Sequence, residues 1–100
     1  MAGNDWSVYL LRCGDGTLYC GVTLNLRRRV ALHACGRGAR YTRGRGPVSL
    51  VWAETGLDRG AALRREREIK RWPRARKESL ITRWTSAGPG RAPSISSRPR

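Results

Sequence analysis

The strongest constraint on this chain is the cluster Cys13-Gly-Asp-Gly16, which stands between two β-rich runs, Trp6–Arg12 and Thr17–Val22. Gly and Asp supply turn chemistry, so the two runs read as a hairpin. A three-residue loop, Gly14-Asp15-Gly16, with Gly16 left-handed, pairs Cys13 with Thr17, Tyr9 with Gly21 and Leu11 with Tyr19. Both tyrosines then share one face of the sheet. The alternative two-residue turn, Asp15-Gly16, puts them on opposite faces, because side chains alternate along a strand.

The remaining pattern follows from caps and periodicity. Asn25 suits an N-cap and Gly36 a C′ position, with Leu26, Val30 and Ala34 four apart between them, which predicts a helix over 26–35. Residues 36–46 are too rich in Gly and Arg for a buried element and read as a basic surface loop. Val48–Glu54 reads as a third strand with Val48, Leu50 and Trp52 on one face, ended by Gly56. Asp58 caps a second helix over 59–72, and Pro73 opens a third, running to Trp84, with Leu80, Ile81 and Trp84 inward. The expected class is α+β, a small three-stranded antiparallel sheet flanked by helices in the order ββαβαα. Residues 1–85 form the one domain, and 86–100 an Arg/Ser/Pro/Gly tail expected to be disordered.

Charge narrows the partner. The 100 residues carry 21 basic and 7 acidic side chains, a formal net charge of +14, and 19 of the basic residues are arginine. Guanidinium groups bind phosphate in planar bidentate fashion, so a phosphate polyanion is the expected partner. No apolar run reaches the roughly 18 residues of a spanning helix, and a signal-peptide core is missing, so the expectation is a cytoplasmic chain with no membrane partner. Cys13, Cys20 and Cys35 lack metal-site spacing and read as reduced packing residues.

Few side chains can do chemistry here. Arg64 precedes Glu68 by four and Arg74 precedes Glu78 by four, so both acids read as surface pairs, and Glu54 reads as exposed. Glu66 differs, because Ala62, Leu63 and Ile69 place it on the apolar stripe of the second helix. An inward carboxylate needs a metal or a cationic partner, and an arginine ion pair is the plainer alternative. On the first helix Arg29 and His33 border the buried stripe, whereas Arg27 and Arg28 project elsewhere. Gly21, inside a strand beside Tyr19, marks a bulge or a close approach by another backbone or a ligand. Two phenols, a guanidinium, an imidazole and a carboxylate are the set that phosphodiester hydrolysis uses.

Val8-Tyr9-Leu10, Tyr19-Cys20-Gly21, Arg29, His33 and Glu66, in this order and spacing, resemble the GIY-YIG nuclease family, and in particular its small stand-alone bacterial members. The resemblance covers about residues 6–82, including Lys70-x-Trp72 and Lys77-Glu-x-Leu-Ile81. Val-Tyr-Leu stands where the family has Gly-Ile-Tyr, and the Asn that many relatives carry after the metal-binding Glu has no counterpart. The resemblance implies Mg²⁺- or Mn²⁺-dependent cleavage of DNA, with Glu66 on the metal and Arg29 steadying the transition-state phosphate. Tyr19 is implied as the general base, Tyr9 as a neighbouring hydrogen-bonding group and His33 as an orienting residue.

The expected activity is a structure-selective endonuclease for branched, nicked or single-stranded DNA, serving repair or recombination near the nucleoid. The alternative is a catalytically weak or inactive accessory of the same fold, bound to DNA or RNA. Arg37, Arg40, Arg43 and Arg45, with Lys70, are expected on phosphates, and Tyr41 and Trp72 on frayed bases. No small-molecule cofactor is expected beside the metal.

Overall fold

In the computed structural model, which describes residues 4–36 and 44–86, the hairpin closes through the three-residue loop. The Cys13 amide donates to the Thr17 carbonyl at 2.9 Å and the Gly16 amide to the Cys13 carbonyl at 2.8 Å. Gly16 has φ +89°, the left-handed conformation that the turn requires and that a Cβ would oppose. The strands β1 (Trp6–Cys13) and β2 (Leu18–Thr23) therefore pair Tyr9 with Gly21 and Leu11 with Tyr19.

The chain continues through α1 (Leu26–Ala34), β3 (Val48–Leu57), α2 (Arg59–Arg71) and α3 (Arg74–Ser86). The sheet is antiparallel in the order β2-β1-β3, so the order ββαβαα and the α+β class both hold. Asn25 caps α1 by accepting from the Arg28 amide at 3.0 Å, and Asp58 caps α2 by accepting from the Ala61 amide at 2.7 Å. Residues 37–43, most of the expected basic loop, and 87–100, nearly all of the expected tail, lie outside the described residues.

The central strand β1 is buried on both faces. On one face Val8, Leu10, Cys20 and Trp52 pack with Ala62, Ile69 and Ile81 of α2 and α3. On the other face Tyr9 and Leu11 pack with Leu26 of α1, flanked by Tyr19, Val30, Val48 and Leu50. The sheet is thus a partition between two half-cores of different chemistry, one wholly apolar and one lined by phenols.

Two expectations for β3 fail for one reason. The pairing with β1 shifts by one residue between Leu10 and Leu11, and again between Trp6 and Val8. Each shift inserts an extra residue in β3, and a bulge of that kind reverses which face the following side chains take. Trp52 therefore lies on the opposite face from Val48 and Leu50. Gly56 (φ +78°) sits within the second bulge, and the strand runs on to Leu57 instead of stopping.

Ion pairs also depart from simple helix spacing. Glu68 accepts from Arg65 at 3.1 Å rather than from Arg64, and the same guanidinium reaches Glu54 at 2.9 Å, so Glu54 is partnered. Cys13 and Cys20 are packing residues as expected, but Cys35 is exposed at the end of α1. Glu78 does more than pair with Arg74. It receives both terminal nitrogens of Arg12 at 2.9 and 2.7 Å, while Arg74 also donates to the Gly16 carbonyl at 2.7 Å. One carboxylate so ties α3 to the end of β1 and, through Arg74, to the hairpin turn.

The hydrogen bonds from Arg12 and then Arg74 hold the Glu78 carboxyl down at about 2, against an ordinary value of 4.5. Its stabilising effect is complete above about pH 4.5 and is lost as the pH falls through 2. The pair is about one-third exposed, so Glu78→Gln should cost about 1 kcal/mol at neutral pH. Urea titrations at pH 7, 4 and 2.5 should show that difference shrinking as the wild type loses the ion pair.

Candidate active site

The register that the turn sets assembles the site. With Tyr9 opposite Gly21, the Tyr9 ring lies across the backbone of β2, and a Cβ on Gly21 would meet Tyr9 Oη at 2.6 Å, Cζ at 2.8 Å and Tyr19 Cε2 at 3.0 Å. The close approach at Gly21 is made by these two side-chain rings, not by a backbone or a ligand, and the strand pairing there is regular. Tyr9 and Tyr19 lie 6.2 Å apart between centroids, and His33 from α1 completes the group at 5.9 Å from Tyr9 and 5.2 Å from Tyr19.

Within it, Tyr9 Oη and His33 Nε2 are 3.1 Å apart, and the Arg29 guanidinium lies near enough to the same hydroxyl to act on its ionisation. An uncharged imidazole has one acceptor nitrogen. With His33 uncharged and the Arg29 cation on the oxygen side, the polarity we assign runs from the Tyr9 proton to His33 Nε2, which leaves the imidazole proton on Nδ1.

Burial decides which groups can move protons. Tyr9 is 0% exposed, and burial pushes its hydroxyl up to about 12 despite the opposing influence of Arg29. His33 is 2% exposed and is pushed down to about 4, first by burial and then by the Arg29 charge. At neutral pH the pair is an uncharged phenol and an uncharged imidazole, rigidly connected. Tyr19 is half-buried, with Cys20 and Gly21 following it along β2. A cleft of about 270 Å³ opens beside Arg29, lined also by Thr23, Asn25, Arg28 and Leu32. Arg28 was expected to point elsewhere, yet it shares this cleft with its neighbour. The three-residue step from Asn25, whose side chain holds the Arg28 amide, was the signal available for it.

Glu66 stands on the other side of the partition, on α2. Its side chain is 20% exposed and pairs with Lys70 at 3.2 Å, so the cationic partner is the lysine one turn on, not an arginine. It faces β2, close enough that its charge helps raise the Cys20 thiol, after burial, to about 12. The structure thus brings Tyr9, Tyr19, Arg29 and His33 together on one face and sets Glu66 against the same edge strand from the other. Among the described residues there is no group of three or more His, Cys, Asp or Glu side chains that could hold a metal ion. A lone half-buried carboxylate suits a hard cation that keeps most of its waters, and not a closed thiolate or imidazole cage.

The expected nucleic-acid contacts divide. Arg45 donates to Asp15 at 2.9 Å. Lys70 is the partner of Glu66, and Trp72 caps the C-terminus of α2 with the Arg76 guanidinium 4.0 Å above its ring. Arg37, Arg40, Tyr41 and Arg43 lie outside the described residues. No helix among the described residues is long and apolar enough to cross a membrane.

The description "GIY-YIG catalytic domain" belongs to the family model that matches residues 5–79. A UPF0213 protein of Nitratidesulfovibrio vulgaris is 58% identical over 80 residues, covering 80% of this chain and 73% of its own. A UPF0213 protein of Natronomonas pharaonis is 54% identical, covering 77% and 91%. The solution NMR structure of a UPF0213 protein from Bacillus halodurans superposes with a TM-score of 0.53 at 39% identity, covering 94% of this chain and 98% of that one.

Two outcomes follow from this geometry. Because the folded His33 value lies below the ordinary 6.5, its contribution is complete above about pH 6.5 and is lost as the pH falls toward 4. Up to about 3 kcal/mol is at stake. Thermal melts from pH 7 to 4 should fall through that window, and His33→Gln should flatten the fall. Gly21→Ala should destabilise by about 1–3 kcal/mol, since a buried ring must move to admit the methyl group.

Proposed function

We propose that this chain, which belongs to the GIY-YIG catalytic domain family, is a metal-dependent endonuclease that hydrolyses DNA phosphodiesters at structural irregularities. The family is one of nucleases, and its substrate is nucleic acid. The observation that carries the finer reading is the Tyr9–His33 hydrogen bond, packed against Tyr19 with the Arg29 charge beside it. An apolar half-core gains nothing from holding a guanidinium and an imidazole there, whereas a phosphate site does.

The roles divide by burial. Arg29 offers its remaining N–H groups to the phosphate in the adjoining cleft and stabilises the charge that develops on the phosphoryl oxygens. Tyr9, its proton held by His33, keeps Arg29 and Tyr19 in place and takes no part in proton transfer. Tyr19, the less buried phenol, gives its own proton up to solvent and, as the phenolate, accepts the proton of the attacking water. His33, uncharged at neutral pH, fixes the orientation of Tyr9. Glu66 would supply the hard oxygen that holds Mg²⁺ or Mn²⁺, in place of its ion pair with the half-exposed Lys70. Such an ion, when bound, would neutralise the phosphate and the leaving oxygen.

The residues of the cleft beside Arg29 offer cations and polar groups to phosphates, which favours recognition of DNA shape. Frayed or branched DNA exposes phosphates that a shallow cleft can reach. Nicked, branched or single-stranded intermediates of repair or recombination in the cytoplasm are the fitting substrates.

The purified protein should cleave branched or nicked DNA faster than plain duplex in Mg²⁺. Glu66→Ala and Tyr19→Phe should each lose about 100-fold or more in rate, with salt-sensitive binding retained. Equal cleavage by Glu66→Ala, or none by the wild type, refutes the enzymatic reading and leaves a nucleic-acid-binding accessory.

A further inference from the structure

Sorting the arginines by partner separates structural ones from idle ones. Arg12 and Arg74 are held by Glu78, Arg65 by Glu54 and Glu68, and Arg45 by Asp15. Arg64, Arg67, Arg71, Arg76 and Arg83 have no carboxylate among the described residues, although α2 and α3 carry three glutamates. Their positions are regular. Arg64, Arg67 and Arg71 recur three and four apart, a stripe along the solvent face of α2, and Arg76 and Arg83 are seven apart on α3.

Trp72 joins the stripes. Two hollows, of about 290 and 250 Å³, share it as a wall, the first lined with Arg64, Arg67 and Arg71 and the second with Arg76 and Arg83. The Arg76 guanidinium lies 4.0 Å above the indole ring. Stacking fixes the plane of the guanidinium and leaves its N–H edge for a bidentate acceptor. Trp72 is in this way a platform for an arginine, and the five unpaired cations form one surface around it.

We propose that this α2–α3 face is a second nucleic-acid site, which takes the phosphate backbone of a further segment of the same polymer on the side of the sheet away from the tyrosines. Its occupant is set by charge. Five unpaired guanidiniums border the two hollows, and the one carboxylate lining them, Glu68, is already bound to Arg65. The partition of the fold keeps this face apart from the Arg29 cleft, so one molecule grips two segments of a bent or branched nucleic acid. The inference rests on the nucleic-acid reading above but not on hydrolysis.

The test is therefore run in EDTA, where cleavage plays no part. The full-length protein is titrated with a fluorescent 20-nucleotide strand and with a 20-base-pair duplex at several salt concentrations. The Trp72 indole N–H resonance, assigned with Trp72→Phe, is followed during the titration. Binding should shift that resonance. The triple variant Arg67→Ser/Arg71→Ser/Arg76→Ser should bind at least about tenfold more weakly, with a salt slope reduced by about 2–3. Arg76→Lys, which keeps the charge but not the planar fork, should bind more weakly than wild type and more tightly than the triple variant. Saturation without movement of the Trp72 resonance, or a triple variant with wild-type affinity and slope, overturns the proposal. So does polyglutamate displacing the oligonucleotide at equal charge concentration, which would mark the face as a site for acidic proteins. A site that binds as expected in a protein without cleavage activity supports this inference and refutes only the enzymatic one.

Discussion

The pairing of Tyr9 with Gly21 governs the rest of this structure. A phenol buried in the middle of a central strand must have somewhere to lie, and the cross-strand residue with no side chain gives it the surface of β2. From there its hydroxyl is within reach of the one histidine in the chain and of an arginine one helical turn before that histidine. The pairing exists only because the turn has three residues with Gly16 left-handed. A one-residue slip would send Tyr19 into the apolar half-core and leave His33 without the second ring it packs on. The site is therefore a consequence of register, and register of a turn.

The same strand divides the molecule. Because β1 is central and buried on both sides, its alternate residues serve two unlike environments. Val8 and Leu10 face an apolar layer under α2 and α3, while Tyr9 and Leu11 face α1. Cross-links that tie the layers avoid the site. Glu78 gathers Arg12 and Arg74 at the turn, and Arg65 spans Glu54 and Glu68 at the far side of α2. These acids hold arginines in structural work, which leaves Arg29 and the outer face of the helices with positive charge to offer.

How much of this was legible in the sequence depends on how local the determining physics is. The turn, the caps at Asn25 and Asp58, and the shared face of the two tyrosines follow from short-range chemistry, and the structure has them. The failures lie in β3. Nothing in Val48–Leu57 marks the extra residue near Val51, because a bulge answers to the curvature that β1 and its helices impose. Trp52 therefore reads as the neighbour of Leu50 and packs on the other face. The partners of Glu54, Glu68 and Glu66 were misread for a related reason. Helix spacing lists the cations within reach, but tertiary packing chooses among them, and Arg65 is drawn from Arg64's expected place because Glu54 on β3 offers it a second acceptor. Arg76 over Trp72 was hidden because the break at Pro73 sets the angle at which α3 returns.

The position of Glu66 shows why an edge strand matters to chemistry on this fold. A carboxylate on α2 and a pair of phenols under α1 lie on opposite sides of a sheet, and a central strand between them would hold them apart by the full thickness of two side-chain layers. Here the strand between them is β2, which is paired on one side only. Side chains from both layers can reach around an unpaired edge to a common point outside it, where a phosphate can also come. Tyr19 belongs to this strand, and the charge of Glu66 acts on its neighbour Cys20. Gly21 keeps the edge low, since a side chain there would displace the Tyr9 and Tyr19 rings. A substrate bound outside β2 would bring the two half-cores into one site, although within the protein they stay apart.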